Sequence, residues 1–407
     1  MSKRKPHILI VSAVFPPEPV VSASLSFDLA TKLSNQYKVT VLCPKPSRPK
    51  GFDFSKGFNG KNNTTFEIKY LPSFTNPDSN LFGRIKESIS FGKFCAEYID
   101  KNKNEIDVVY ANTWPMFSQN SILKATKKNS IPCILHIQDI YPESFVEKLP
   151  SILGSIIKRI LLPFDRSILK KASHVICISY PMINYLSRTR CISTNKFTLV
   201  RNWQNDQSFI DFNRGITNKT SFIFMYAGSI SPTAGIENLL YAFNDAKIDN
   251  SKLVIAGTGA DKEKCQQIAK RLNNLSIEFT NVSPENVPEL QSIADVLILP
   301  LKKNIAKTAT PSKLTAYLLS AKPVIACVEK ESDVANIIQN AECGFIVEPE
   351  NIQMLSECMK IVEKLGKNEL DMLGKRGREF SLRELSKESN LNKLVRLIEL
   401  NINNNGN

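Results

Sequence analysis

Residues 202–228 read NWQNDQSFIDFNRGITNKTSFIFMYAG, and the fold turns on how this stretch is divided. Its first part, 202–221, is polar, with several turn formers and few periodic apolar positions, which is the pattern of a linker. Its end, FIFMYAG, is a short apolar run closed by glycine, the pattern of a buried strand that turns at once. The same alternation lies on both sides. Upstream, HILIVSA, KVTVLC, VVYAN, CILHIQ and HVICIS are spaced by helix-length segments at 22–35, 81–101 and 152–171, and KFTLV precedes the linker. Downstream, FIFMYAG is followed by KLVIAG, SIEFTNV, DVLILP, KPVIAC and GFIVEP, each leading into a helical segment. Short apolar runs alternating with helices specify parallel sheets covered on both faces. The expected class is therefore α/β, with two parallel-sheet domains of Rossmann-like form facing across a cleft. The expected boundaries are 1–204, 205–380 and a terminal segment at 381–407, and the spacing of Leu and Ile predicts a helix over 379–401 before a frayed NINNNGN tail.

A chain of 407 residues with 42% hydrophobic content can bury two such cores. Nine cysteines, an odd number without a CxxC pair, lie mostly inside apolar runs and read as reduced core residues of a cytoplasmic protein. The start, MSKRKPHILIVSAVF, is basic and then apolar like a signal peptide, but Pro16, Pro17 and Pro19 end it early, so it reads as a first strand. No run approaches the roughly 18 apolar residues that cross a bilayer, so membrane contact is expected to be peripheral. The net charge of +14 is located: residues 1–200 carry 28 Lys and Arg against 14 Asp and Glu, and the remainder is balanced. A basic first domain fits an anionic partner, a membrane surface or nucleic acid, or simply a lysine-rich solvated face. No helix-turn-helix, zinc-finger or aromatic RNP pattern accompanies the charge, which argues against nucleic acid.

Several chemistries are excluded. AGTGADK at 256–262 has Gly257 and Gly259 after a strand, but Lys262 stands where a dinucleotide fingerprint needs its third glycine. His7, His136 and His174 each sit in an apolar run and read as core or strand-edge residues. No HExxH, GxSxG or metal-spaced Cys/His cluster occurs. An enzyme with this inventory works by positioning and electrostatics, which suits phosphate-bearing substrates.

The anion site is expected in KTATPSKLTAYLLSAKPVIA at 307–326. Thr310 or Ser312 can cap a helix that starts near Pro311, leaving the amides of Ser312, Lys313 and Leu314 outward at the positive end of the dipole. Lys307, Lys313, Lys302 and Lys303 add mobile charge. An ordinary capped helix with solvated lysines is the competing reading.

These motifs, in their order, resemble retaining family 4 glycosyltransferases of the GT-B fold, in particular the O-antigen and capsule branch. The second domain matches that pattern at YAGSISPTAGIENLL, VIAGTGADKEK, ADVLILPLKK and TPSKLTAYLLSAKPVIA, and the first at VFPPEPVVSASLSFDLATKL and HIQDIYPESF. Within the branch, the group that transfers N-acetyl-L-fucosamine is the most similar. The resemblance implies a nucleotide-diphosphate sugar donor, UDP-linked, a lipid-linked saccharide acceptor, and neither cofactor nor metal. It implies that the leaving diphosphate oxygen takes the acceptor's proton on the same face, without a protein nucleophile. Lys307 and Lys313 would stabilise the leaving charge, and Gly228, Ser229, Gly257, Pro311, Ser312, Leu314, Ala316 and Tyr317 would hold the donor. Pro17, Glu18, Ser22 and Glu143 would hold the acceptor. Asp139 would be the acid beside the reacting sugars, or alternatively the cap of the turn before Pro142. The family's paired glutamates fall on Thr308 and Ala316, and its basic residues after the first glycine on Ser229 and Ala234, so all four are missing. A UDP-sugar 2-epimerase of the same fold and a degenerate sugar-nucleotide-binding scaffold therefore stay open. The location implied is the inner face of the cytoplasmic membrane, reached through the basic amphipathic segments near 81–99 and 151–171.

Overall fold

The structure is a computed structural model and describes residues 4–54, 65–77, 81–146, 149–203, 206–212, 220–281, 283–305 and 312–403. The chain divides into two compact units, Met1–Asn202 with Asn390–Asn407, and Trp203–Ser389.

The first unit runs β1 (His7–Ser12), α1 (Val21–Ser34), β2 (Lys38–Pro44), β3 (Glu67–Leu71), α2 (Leu81–Lys101), β4 (Val108–Asn112), α3 (Phe117–Lys128), β5 (Cys133–Ile137), the single turn α4 (Glu143–Val146), α5 (Ser151–Lys171), β6 (His174–Cys177), α6 (Tyr180–Arg190) and β7 (Phe197–Leu199). Its seven strands form one sheet in the order β3-β2-β1-β4-β5-β6-β7, with every pairing parallel. Strands β1, β4 and β5 are buried along their whole length. A central parallel strand has helices on both faces, so it must be apolar at every position. Strand β3, absent from the sequence expectation, is an edge strand whose only buried residue is Leu71. The order reverses between β1 and β4, where a doubly wound sheet opens a crevice at the carboxyl ends of its strands.

The second unit runs α7 (Gln207–Ile210), β8 (Phe222–Ala227), α8 (Ile236–Ala246), β9 (Ser251–Ala256), α9 (Lys262–Leu272), β10 (Ile277–Thr280), α10 (Val287–Ser292), β11 (Val296–Pro300), α11 (Ser312–Leu319), β12 (Val324–Cys327), α12 (Asp333–Ala341), β13 (Gly344–Val347), α13 (Ile352–Glu363) and α14 (Lys367–Phe380). Its six strands are also all parallel, in the order β10-β9-β8-β11-β12-β13, and the reversal falls between β8 and β11. The period of two is visible in the cores. Phe224, Tyr226, Ile255 and Ile298 belong to one face, and Met225, Ala227, Val254, Leu297 and Leu299 to the other. Each fully buried Leu, Ile or Phe contributes about 1.5–3 kcal/mol.

The chain end departs from the single helix expected over 379–401. Helix α14 stops at Phe380, a π turn spans Ser381–Leu385, and α15 (Lys387–Asn403) follows. The Asp206 carboxylate accepts from the Lys387 amide at 2.8 Å, at the start of α15. From Asn390 onward the helix belongs to the first unit, where Leu391, Leu394, Leu397 and Ile398 are buried. There Asn390 Oδ1 accepts from the Arg201 amide at 2.9 Å, and Tyr37 donates to Glu399 at 3.1 Å. All nine cysteines are free; seven are buried, Cys358 is half-buried, and Cys191 departs from the core reading by being exposed at the left-handed end of α6. Among the described residues no helix is long and apolar enough to cross a membrane.

Candidate functional site

Each unit carries a candidate site at the reversal of its own sheet. In the second unit it is built by the turns after β8 and β9 and by the first turn of α11. Gly228 and Gly257 end their strands with positive φ, +154° and +146°. A Cβ on Gly257 would lie 2.0 Å from the Gly228 carbonyl oxygen, and one on Gly228 would lie 2.3 Å from Cε of Lys313. Only glycine lets the two turns close on each other and lets the Lys313 stem lie along the backbone. The GxG that fails as a dinucleotide fingerprint is thus a packing device.

Lys313 reaches across this track. Its Nζ donates to the Tyr226 hydroxyl and, at 3.2 Å, to the Ser229 carbonyl, and it stands 4.8 Å from the centre of the Tyr226 ring. The Tyr226 hydroxyl in turn donates to the Ser229 carbonyl at 2.5 Å. Burial pulls the Lys313 ammonium down to about 8, and among the described residues no carboxylate compensates for the water it has lost. A half-buried cation held by neutral oxygens alone is poised for an anion.

The structure corrects two expectations here. Tyr317 is fully buried, accepts from the Ala227 amide at 2.9 Å and donates to the Ala227 carbonyl at 3.0 Å, so it braces the end of β8 and offers nothing to a ribose. Ala316 is buried with Phe209 and Leu319. Leu314 is buried in the core, so only its backbone can serve a ligand. The Ser229 side chain is exposed, while its carbonyl already accepts from Tyr226 and Lys313. Lys307, Thr308 and Pro311 lie outside the described residues, as does the side chain of Ser312, whose backbone opens α11.

In the first unit the carboxyl ends of β1, β4 and β5 frame a cavity of about 110 Å³ with a mixed lining, in which Ser22, Asn112, His136, Gln138 and Asp139 supply the polar groups and Val14, Trp114, Pro115 and Ile137 much of the wall. Asp139 is exposed at its edge. His136 is held in place by a chain of hydrogen bonds. Asn202 donates to Gln138 Oε1 at 2.8 Å, which turns the Gln138 amide nitrogen to His136 Nε2 at 3.1 Å, and His136 Nδ1 meets the Tyr110 hydroxyl at 2.6 Å. Burial drops the His136 pKa to about 3, so the ring is neutral at physiological pH.

Of the four acceptor-side expectations, only Ser22 lines this cavity. Pro17 lies half-buried in the turn after β1. Glu18 is buried, and its Oε1 accepts from the amides of Ser47 and Arg48 at 2.8 and 2.9 Å. It is an organiser of that loop, and burial pushes its carboxyl up. Arg48 then pairs with Glu87 on α2 and covers the Trp114 ring with its guanidinium at 4.6 Å. Glu143 is likewise committed. Fully buried Arg190 donates to both its oxygens, at 2.7 and 2.6 Å, to Asp165 at 2.8 Å and to the Tyr141 carbonyl at 2.7 Å. Burial alone would raise Glu143, but Arg190 and Tyr185 outweigh it and hold the carboxyl at about 2. Asp165, more deeply buried, is pushed up to about 6 against the pull of Arg190. Arg190 thereby fastens the 141–143 turn, beside Asp139, to α5 and α6. Among the described residues no group of three or more His, Cys, Asp or Glu is placed to hold a metal ion.

Two parallel-sheet units, each doubly wound and each with its own candidate site at the reversal, match the GT-B fold. Residues 23–206 match the family described as Glycosyltransferase Family 4, and residues 208–380 match Glycosyl transferases group 1. The two matches follow one another along the chain in that order. It is 21% identical over 252 residues to the probable glycosyltransferase WbjE of Pseudomonas aeruginosa, covering 59% of this chain and 61% of that protein. It is 23% identical over 275 residues to the putative colanic acid biosynthesis glycosyl transferase WcaI of Escherichia coli K12, covering 64% and 66%. The matches thus span somewhat under two thirds of each relative. In fold it is similar to Anabaena HepE, whose crystal structure is in complex with UDP: the TM-score is 0.67 with 14% identity, over 97% of this chain and 99% of that one.

Proposed function

We propose that the protein is a retaining glycosyltransferase of surface polysaccharide assembly, moving a sugar from a UDP-linked donor to a lipid-linked saccharide. The observation that carries this reading is Lys313, a half-buried ammonium whose partners among the described residues are all neutral, at the sheet reversal of the group 1 domain. A diphosphate completes its coordination and restores its charge. HepE, similar in fold, is solved with UDP, and WcaI bears a polysaccharide name, which supports the donor and the process. The departing diphosphate collects negative charge as the glycosidic bond breaks, and Lys313 stabilises that charge. The leaving oxygen takes the proton of the acceptor hydroxyl on the same face, while Asp139 orients the acceptor at the edge of the cavity in the first unit. The enzyme acts without metal or cofactor, at the inner face of the cytoplasmic membrane, through its basic first unit.

The test is a calorimetric titration with UDP, followed by turnover with candidate donors, UDP-N-acetyl-L-fucosamine first, and a lipid-linked acceptor. Free UDP released in step with sugar transferred supports the proposal. An altered UDP-sugar without transfer identifies the 2-epimerase, and UDP binding without turnover of any donor identifies the scaffold.

A further inference from the structure

Tyr226 stands in β8 with none of its surface exposed, in the core that also holds Phe224, Ile230 and Leu240. A phenylalanine would serve that packing, because a buried hydroxyl costs free energy unless it is hydrogen-bonded. The Tyr226 hydroxyl has two partners among the described residues: it donates to the Ser229 carbonyl at 2.5 Å and accepts from Lys313 Nζ. Both partners belong to the candidate site at the reversal of the second sheet.

These contacts decide where the Lys313 ammonium points. Its stem is confined along Gly228, where a Cβ would stand 2.3 Å from Cε and 2.8 Å from Cδ. The centre of the Tyr226 ring lies 4.8 Å from Nζ. An ammonium has three N–H donors. One goes to the Tyr226 hydroxyl and one, at 3.2 Å, to the Ser229 carbonyl, and the third has no acceptor among the described residues. With two donors taken, rotation about Cε–Nζ is blocked, so the third keeps one direction. A solvated lysine samples many rotamers and loses that freedom on binding, whereas one already fixed has little left to lose.

We propose that Tyr226 is a positioning residue: out of a ligand's reach itself, it and the Ser229 carbonyl hold two of the three Lys313 N–H groups so that the third meets a diphosphate. The proposal rests on reading the second unit as the donor side. Tyr226 acts only through Lys313, whose own shift has burial as its cause. The titratable groups that face Tyr226 are Tyr317 on α11 and Cys265 on α9. Burial raises both, Cys265 to about 11, so both are neutral where Lys313 changes charge. The charged groups beyond them, Asp261, Glu237, Lys264 and Lys302, act on Cys265.

Tyr226→Phe keeps the ring and its packing and removes the hydroxyl. Titration calorimetry with UDP compares the parent, Tyr226→Phe, Lys313→Met and the double variant, at pH values above the second phosphate ionisation near about 6. Tyr226→Phe is expected to weaken UDP about threefold to tenfold. The double variant binds UDP no worse than Lys313→Met, because the hydroxyl has lost the group it acts through. In the parent the affinity falls as pH rises past about 8, where Lys313 loses its proton. In Tyr226→Phe the fall comes at lower pH, because the ammonium has lost an acceptor. Equal UDP affinity in the parent and Tyr226→Phe overturns the proposal. So does the same loss in both backgrounds, which marks a role in the fold alone. A parent chain that binds no UDP removes the donor reading, and the hold of Tyr226 on Lys313 is then read without a ligand. In a chain with carbon-13-labelled lysine, the Lys313 Cε resonance is assigned by its absence from Lys313→Met. A lower titration midpoint in Tyr226→Phe keeps that hold, and an unchanged one removes it as well.

Discussion

Lys313→Met keeps the aliphatic stem along Gly228 and removes the charge, so it separates what the lysine does for the fold from what it does for a ligand. The ammonium sits at about 8 where an exposed lysine has 10.5, so the folded chain disfavours its charged form. At about 1.36 kcal/mol per unit, discounted for partial solvent access, the cost is about 1–2 kcal/mol. For a domain of this size each kcal/mol moves Tm by roughly 2–4 °C, so the variant is expected to melt about 2–8 °C above the parent at pH 7. The direction with pH follows from proton counting. Between about 8 and 10.5 the folded chain holds fewer protons at this site than the unfolded chain, so parental stability rises with pH through that window. The advantage of the variant is full below it and fades above it. UDP binding moves the other way: losing a charge-assisted hydrogen bond costs about 1.5–3 kcal/mol, roughly tenfold to a hundredfold in affinity. Scanning calorimetry at several pH values and titration calorimetry with UDP read both quantities. A variant that melts below the parent at every pH, or that binds UDP as tightly, refutes the reasoning.

Other perturbations test the supports. Gly257→Ala places a Cβ 2.0 Å from the Gly228 oxygen at φ +146° and is expected to cost at least about 1–3 kcal/mol in chemical denaturation; an unchanged midpoint contradicts the packed turns. Arg190→Ala leaves Glu143 and Asp165 buried without their cation and is expected to cost about 3–5 kcal/mol at neutral pH. In the parent, the Glu143 contribution is present above about 4.5 and is lost as pH falls towards about 2, so the loss of stability on acidification in that range should be smaller in Glu143→Gln. Asp139→Asn should abolish turnover while leaving Tm and UDP affinity as they were. A lowered Tm with normal turnover would make Asp139 the cap of its turn.

What the sequence made legible follows from how each element is buried. HILIVS, VVYAN and CILHI could be read as strands because central parallel strands are apolar on both sides. EIKYL could not, because at the sheet edge one buried leucine leaves no continuous run. In the second unit, Gly228 and Lys313 were visible as a strand end and a helix start. Tyr226, inside an apolar run, read as core, and nothing local shows that its hydroxyl emerges at the turn. Glu18 and Glu143 stood out as acids near strand ends, yet both are spoken for. The partner of Glu143 lies 47 residues further on, in an unremarkable SRTR, and only the tertiary fold brings Arg190 to it. Ala316 likewise is explained by Phe209, from the stretch that reads as a linker.

The return of the last helix to the first unit sets an order of assembly that runs against the order of synthesis. The second unit is one uninterrupted span, complete once Ser389 has been made. The first unit, although most of it emerges earlier, still lacks Asn390, Leu391, Leu394 and Ile398 until synthesis has passed Ser389, and its Arg201 amide waits 189 residues for its acceptor. Domains ordinarily fold as units, amino-terminal first, during synthesis. Here the amino-terminal unit is the one that closes last, and a chain stopped at Ser389 leaves it unfinished while the second unit remains whole.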